Sequence, residues 1–110
     1  MENKSRLAVL ISGNGGNLQA ILDACREGEL SAQVVAVVAN KPDAFGLARA
    51  QRAGTPAVVL EKSKDQDRRA YDAVLADRVA AFAPDWIVLA GWMRILTSAF
   101  LDRFPGRVIN

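Results

Sequence analysis

The run Ser12-Gly13-Asn14-Gly15-Gly16-Asn17 is the stretch of this chain best suited to hold a small anion. It follows an uninterrupted apolar segment, residues 7–11, and precedes Leu18, Ile21, Leu22 and Cys25, which recur at helical spacing. A turn between a buried strand and an amphipathic helix aims free backbone N–H groups and the positive end of the helix dipole at one spot, which suits a phosphate. Glycines there permit positive φ and let an anion approach the main chain. Asn17 serves either as the helix cap or as an amide donor to the anion. A plain tight turn is the competing reading.

Two familiar nucleotide loops fit poorly. Gly13-x-Gly15 begins like the dinucleotide fingerprint, but its third glycine position holds Leu18. The second strand closes on Asn40, where an NAD site would place an acid for the ribose hydroxyls. No Gly-Lys-Ser/Thr follows, so a Walker A loop fails as well. A phosphate monoester of modest size is the expected ligand.

Three further places carry chemistry-bearing residues. Arg68 and Arg69 fall in the first turn of a helix, where cations oppose the macrodipole by roughly 0.3–1 kcal/mol and a ligand carboxylate would offset the cost. Two solvated arginines balanced by Asp65 and Asp67 are the plainer reading, and the residues alone favour it. Gly91-Trp92-Met93-Arg94-Ile95-Leu96 follows the fourth strand-like run, at the edge where ligands bind in α/β sheets. Its apolar side chains fit a planar ligand or a covering domain, and burial under the next helix explains them equally well. Asn110 brings an amide to the end of the last strand, a group able to steady a developing oxyanion.

Composition narrows the chemistry. The chain has no histidine and a single cysteine, Cys25. Its own residues therefore exclude a Ser–His or Cys–His nucleophile, a histidine base, histidine metal ligation and a disulfide framework. No metal is expected. Fourteen Lys and Arg against 12 Asp and Glu leave +2, with the cations scattered, so nucleic acid is not an expected partner. The longest apolar run, residues 86–93, is far short of the roughly 20 residues of a membrane span. No signal peptide is visible, and a soluble cytoplasmic protein binding small molecules is expected.

Two periodicities alternate along these 110 residues, 51% of them hydrophobic. Strand-like runs at 7–11, 34–39, 57–60, 86–90 and 107–110 are separated by helical patterns. The first helix ends near Gly28; the second spans 44–53 and stops at Gly54. The third is capped by Ser63 or Asp65, runs to about Phe82, and buries Tyr71, Val74, Leu75, Val79 and Phe82. Thr97 caps a fourth that continues through Phe104. Alternation with short connections predicts an α/β fold, a doubly wound, Rossmann-like, mostly parallel sheet with right-handed crossovers. Residues 1–110 are expected to form one phosphate-binding α/β domain, cut before further residues, because Val108 and Ile109 read as a sheet strand just beginning. The exposed edge of that strand suggests a homodimer or other self-association.

Read in order, residues 10–21, Asn40-Lys41-Pro42-Asp43-Ala44-Phe45-Gly46, Ala83-Pro84-Asp85, residues 89–96 and Val108-Ile109-Asn110 closely resemble the phosphoribosylglycinamide formyltransferases (glycinamide ribonucleotide transformylases). The resemblance covers essentially the whole chain. It implies formyl transfer from 10-formyltetrahydrofolate to the amine of 5-phosphoribosylglycinamide in purine synthesis. By that resemblance Gly15, Gly16 and Asn17 bind the phosphate, and Arg68, Met93, Arg94, Ile95, Leu96 and Asn110 contact the folate. Asn110 is also the catalytic amide that steadies the formyl oxygen. The family usually has serine at Gly16, so a hydroxyl contact is lost and weaker phosphate binding is expected. It also continues into a histidine-proline-serine segment and a later aspartate; this chain holds neither, and alone is expected to be inactive. A related formyltransferase acting on another amine, or a non-catalytic phosphate-binding module, are the alternatives.

Overall fold

Residues 7–11 are continuously apolar because the strand they belong to lies in the middle of the sheet with helices on both faces. The computed structural model describes residues 4–110. In chain order its elements are β1 (Ser5–Ile11), α1 (Gly16–Arg26), β2 (Ala32–Ala39), α2 (Gly46–Arg52), β3 (Ala57–Val59), α3 (Arg68–Ala80), β4 (Trp86–Leu89), α4 (Ser98–Leu101) and β5 (Val108–Ile109). All five strands pair in parallel, in the order β3-β2-β1-β4-β5. The doubly wound α/β expectation is met.

Side chains alternate across β1. Val9 and Ile11 pack with Leu18, Leu22 and Ala50 on the α1/α2 face. Ala8 and Leu10 pack with Tyr71, Leu75, Val79 and Phe100 on the α3/α4 face. The chain moves outward from β1 to β3, then returns to the other side of β1 with β4. That reversal opens a crevice at the carboxyl ends of β1 and β4, the place where open α/β sheets bind ligands. No helix among the described residues is long and apolar enough to cross a membrane.

Several element boundaries differ from expectation. Helix α3 begins at Arg68 and is capped by Asp67, not by Ser63 or Asp65. The Asp67 carboxylate accepts from the amides of Arg69 (3.1 Å) and Ala70 (3.2 Å), which only the residue just before the first turn can reach. Its buried side is Tyr71, Asp72, Leu75, Ala76 and Val79; Val74 falls on the flank, 41% exposed, and Phe82 lies beyond the last turn, half-buried. The chain leaves α3 through Ala83 at φ 50, where Arg6 donates to the carbonyls of Phe82 (2.7 Å) and Ala83 (2.9 Å). Helix α2 starts at Gly46 instead of residue 44. Helix α4 is a single turn, because Phe100 and Phe104 reach the same core with ring centroids 5.0 Å apart through a following turn. Thr97 occupies its cap position, but the hydroxyl is used elsewhere. Strand β5 is a short edge strand, Val108 half-buried and Ile109 45% exposed.

The flank position of Val74 gives a direct check. Leu75→Ala should cost about 2–5 kcal/mol, as for a fully buried leucine, and Val74→Ala under about 1 kcal/mol. Urea denaturation midpoints of the two variants measure the contrast.

Candidate functional site

The cavity at the crevice lies among the loops that follow β1, β2 and β4. It encloses about 430 Å³ and is lined by residues 12–17, Lys41, Ala90, Gly91 and Met93. Gly15 occupies the cap position of α1 at φ 80, ψ 25, with no side chain bonded to the helix start. The first helical bond runs from the Gln19 amide to the Gly15 carbonyl (2.8 Å), so the amides of Gly16, Asn17 and Leu18 precede the ladder and are free for a ligand. Asn17 therefore does not cap the helix; it sits inside the first turn, exposed, where its side chain is available to a ligand.

Glycine is required at two places here. A Cβ on Gly15 would stand 2.7 Å from Gly46 Cα, and the φ of Gly15 is itself left-handed. A Cβ on Gly46 would run into the Ile11 side chain and meet Gly15 Cα. The Gly46 amide in turn donates to the Gly13 carbonyl (3.1 Å), seating the N-terminus of α2 on the loop. Gly16 is different: a side chain there would enter open space.

The loop after β4 is tied down at both ends. The buried Ser12 hydroxyl accepts from the Met93 amide (2.9 Å), joining the two strand-end loops across the crevice. Asp72, fully buried on α3, accepts from the Thr97 amide and hydroxyl, both at 2.7 Å. Arg69 donates to Ser98 Oγ (2.9 Å) beside it. Between these anchors Met93 and Ile95 are 78% and 79% exposed, while Trp92, Arg94 and Leu96 are half-buried. Arg94 stacks on Tyr71, its Cζ 5.0 Å from the ring centroid. Trp92 Nε1, Arg94 Nε and Asn40 Oδ1 are buried polar atoms without a hydrogen-bond partner among the described residues, and all three follow strand ends. Buried polar atoms in that condition are uncommon and mark places where a ligand or another part of the protein completes the bonding.

The structure thus gathers Gly15, Gly16, Asn17 and Met93 around one cavity. Arg68, Arg94, Ile95, Leu96 and Asn110 do not line it. Arg68 stands exposed at the start of α3, and Asn110 is exposed beyond β5. Sequence reasoning missed Lys41, the cavity's single lysine or arginine, and the structural parts played by Ser12, Arg49 and Asp72. A larger groove of about 860 Å³ runs between α1 and α2 across β2, away from the glycine loop. Two of the arginines lining it, Arg6 and Arg49, are committed to internal hydrogen bonds.

Residues 5–110 match the family described as formyl transferase. The chain belongs to the formyl transferase family. It is 50% identical over 104 residues to phosphoribosylglycinamide formyltransferase of Escherichia coli K12, covering 94% of this chain and 49% of that protein. It is 40% identical over 109 residues to the human trifunctional purine biosynthetic protein adenosine-3, covering 99% of this chain and 11% of that one. The fold superposes on glycinamide ribonucleotide transformylase 1 from Symbiobacterium toebii with a TM-score of 0.92 at 46% identity, over 96% of this chain and 50% of that structure. The chain spans about half the length of the single-function relatives it matches.

In this formyl transferase chain one ionisable group is clearly perturbed by the fold next to the site. Burial pushes the Tyr71 hydroxyl up to about 12, against the opposing pull of the Arg94 cation, with Asp72 adding to the rise. The hydroxyl donates to the Leu60 carbonyl at 2.6 Å. Because the folded state holds this proton more tightly than the unfolded chain, whose tyrosine ionises near ~10, the contribution is complete below about pH 10 and is lost as pH rises towards 12. Tyr71→Phe should flatten that alkaline loss, read as denaturation midpoint against pH. In the loop itself, Gly15→Ala should destabilise by about 1–3 kcal/mol, whereas Gly16→Ser should stay within about 0.5 kcal/mol.

Proposed function

We propose that this chain is the phosphate-binding portion of a phosphoribosylglycinamide formyltransferase, moving a formyl group from 10-formyltetrahydrofolate to the glycinamide amine. The observation that carries the proposal is the uncapped α1 N-terminus beside a cavity lined by the glycine loop, Lys41 and Met93. The names of the E. coli and human relatives supply the substrate and the biosynthetic setting.

In this reading the amides at Gly15, Gly16 and Asn17, with Lys41 beside them, hold the 5′-phosphate and orient the ribotide along the sheet edge. The exposed Met93 and Ile95 offer an apolar surface that fits a planar body such as a pterin, while Trp92 Nε1 and Arg94 Nε stand unpartnered on the inner side of the same loop. The donor brings the activated formyl carbon; the chain's task is to present the amine to it. Asn110, at the carboxyl end of β5, donates its amide to the formyl oxygen as negative charge develops there. Arg68, exposed at the start of α3, meets the donor's carboxylate tail. The chain holds no histidine to move the proton between amine and leaving group, and residues 1–110 alone are predicted to turn over nothing.

In the full-length protein, consumption of 10-formyltetrahydrofolate should depend strictly on the ribotide; consumption without it defeats the proposal. Asn110→Ala should lower kcat by about 10²–10³ while leaving ribotide binding nearly intact. Gly16→Ser should lower the ribotide KM by supplying a hydroxyl to the phosphate, with little change in the KM of the formyl donor.

A further inference from the structure

The guanidinium of Arg49 reaches from α2 to the glycine loop and grips one residue of it twice. Nε donates to the Asn14 carbonyl at 2.8 Å and Nη2 to Asn14 Oδ1 at 2.6 Å. Nη1 completes the fork on Gln19 Oε1 at 3.3 Å, one turn into α1. Behind it the Phe45 ring supports the cation, 4.9 Å from centroid to Cζ. Arg49 does not line the cavity; with Gln19 it lines the separate groove between α1 and α2, behind the loop.

The carbonyl and amide of a trans peptide point in opposite directions. Holding the Asn14 oxygen towards α2 therefore turns the Gly15 N–H away from α2. The same grip withdraws from the ligand the acceptor oxygens that Asn14 would otherwise bring to an anion. We propose that Arg49 is a positioning residue for the phosphate site: it locks Asn14 from behind so that the amides from Gly15 onward stay converged, without touching the phosphate. This rests on the phosphate reading of the cavity. The guanidinium's rigid fork holds the Asn14 carbonyl and side-chain oxygen from two separate nitrogens in fixed geometry; a lysine ammonium supplies the charge from a single point on a flexible stem.

The test uses the full-length protein with the ribotide and with its 5′-dephosphorylated riboside as amine substrates. Arg49→Gln should raise the ribotide KM about tenfold, equivalent to ~1.4 kcal/mol, with kcat and the formyl-donor KM unchanged. Its activity on the riboside should match that of the unaltered protein, which a general loss of structure would not permit. Arg49→Lys should lose nearly as much as Arg49→Gln. Asn14→Ala should add little to the Gln variant, since both remove the same contact. If the unaltered protein does not prefer ribotide over riboside, the phosphate site itself is wrong. If it does and Arg49→Gln keeps a normal ribotide KM, or Arg49→Lys behaves as the unaltered protein, the clamp is overturned and the site stands.

Discussion

The rest of the site depends on Gly15 and Gly46 standing Cα against Cα. Gly15 must take a left-handed backbone to swing the chain from β1 into α1, and any Cβ there would strike α2. Gly46 must accept both that approach and the Ile11 side chain beneath it. With neither residue carrying a side chain, two helix starts converge on one loop, and the Gly46 amide can reach the Gly13 carbonyl. The geometry leaves the first amides of α1 pointing outward with no side-chain cap competing for them. A serine or aspartate, the usual helix cap, is barred from Gly15 by that contact and that backbone, so no side chain takes up the donors a ligand needs.

The second loop is held by a different device, a buried acid. Asp72 sits on the core side of α3 among Tyr71, Leu75 and Ala76, a position a helix normally gives to an apolar side chain. It is tolerated because two short hydrogen bonds from Thr97 satisfy it. Hydrogen bonds to a charged group contribute about 1.5–3 kcal/mol each, whereas exposed ion pairs such as Arg103–Asp77 and Arg26–Asp23 contribute about 0–1. The surface pairs are therefore minor, and Asp72 fixes where the chain leaves the loop after β4. Ser12 fixes where it enters. Between those points the backbone is set, and alternate side chains fall outward and inward.

Much of this was legible in the residues, and the losses have physical causes. Strands β1 and β2 announce themselves because central parallel strands bury both faces and tolerate no charge in their middles. The glycine loop is readable because its turn into α1 needs a left-handed backbone, which Gly15 supplies. The start of α3 was misplaced because Ser63, Asp65 and Asp67 are all competent caps, and only the carboxylate's reach to the Arg69 and Ala70 amides decides among them. Asp72 and Arg49 were missed since their partners lie 25 and 35 residues away, beyond any local pattern. Val74 was assigned to the core since a stripe two residues wide in sequence can rotate by a fraction of a turn without breaking its period. Lys41 lies two residues past the end of β2, and the rule that ligands gather at strand carboxyl ends was signal enough to include it.

Strand order explains why one chain segment serves both halves of the proposed reaction. The phosphate loop follows β1, the apolar loop follows β4, and Asn110 follows β5, three strands that are neighbours in the sheet although the first is distant in sequence. Adjacent strands lie ~4.8 Å apart, so the ends of β1 and β5 are separated by about 10 Å. That distance is of the order of a ribose phosphate bearing a short amine arm. In the proposed function, a ribotide anchored by its phosphate at Gly15–Asn17 extends its amine end towards Asn110. Had the chain returned to the β3 edge after α3, the two groups would lie on opposite flanks of the sheet. The crossover that places β4 beside β1 thus puts the glycine loop and Asn110 on one side of the sheet, as the proposed reaction requires.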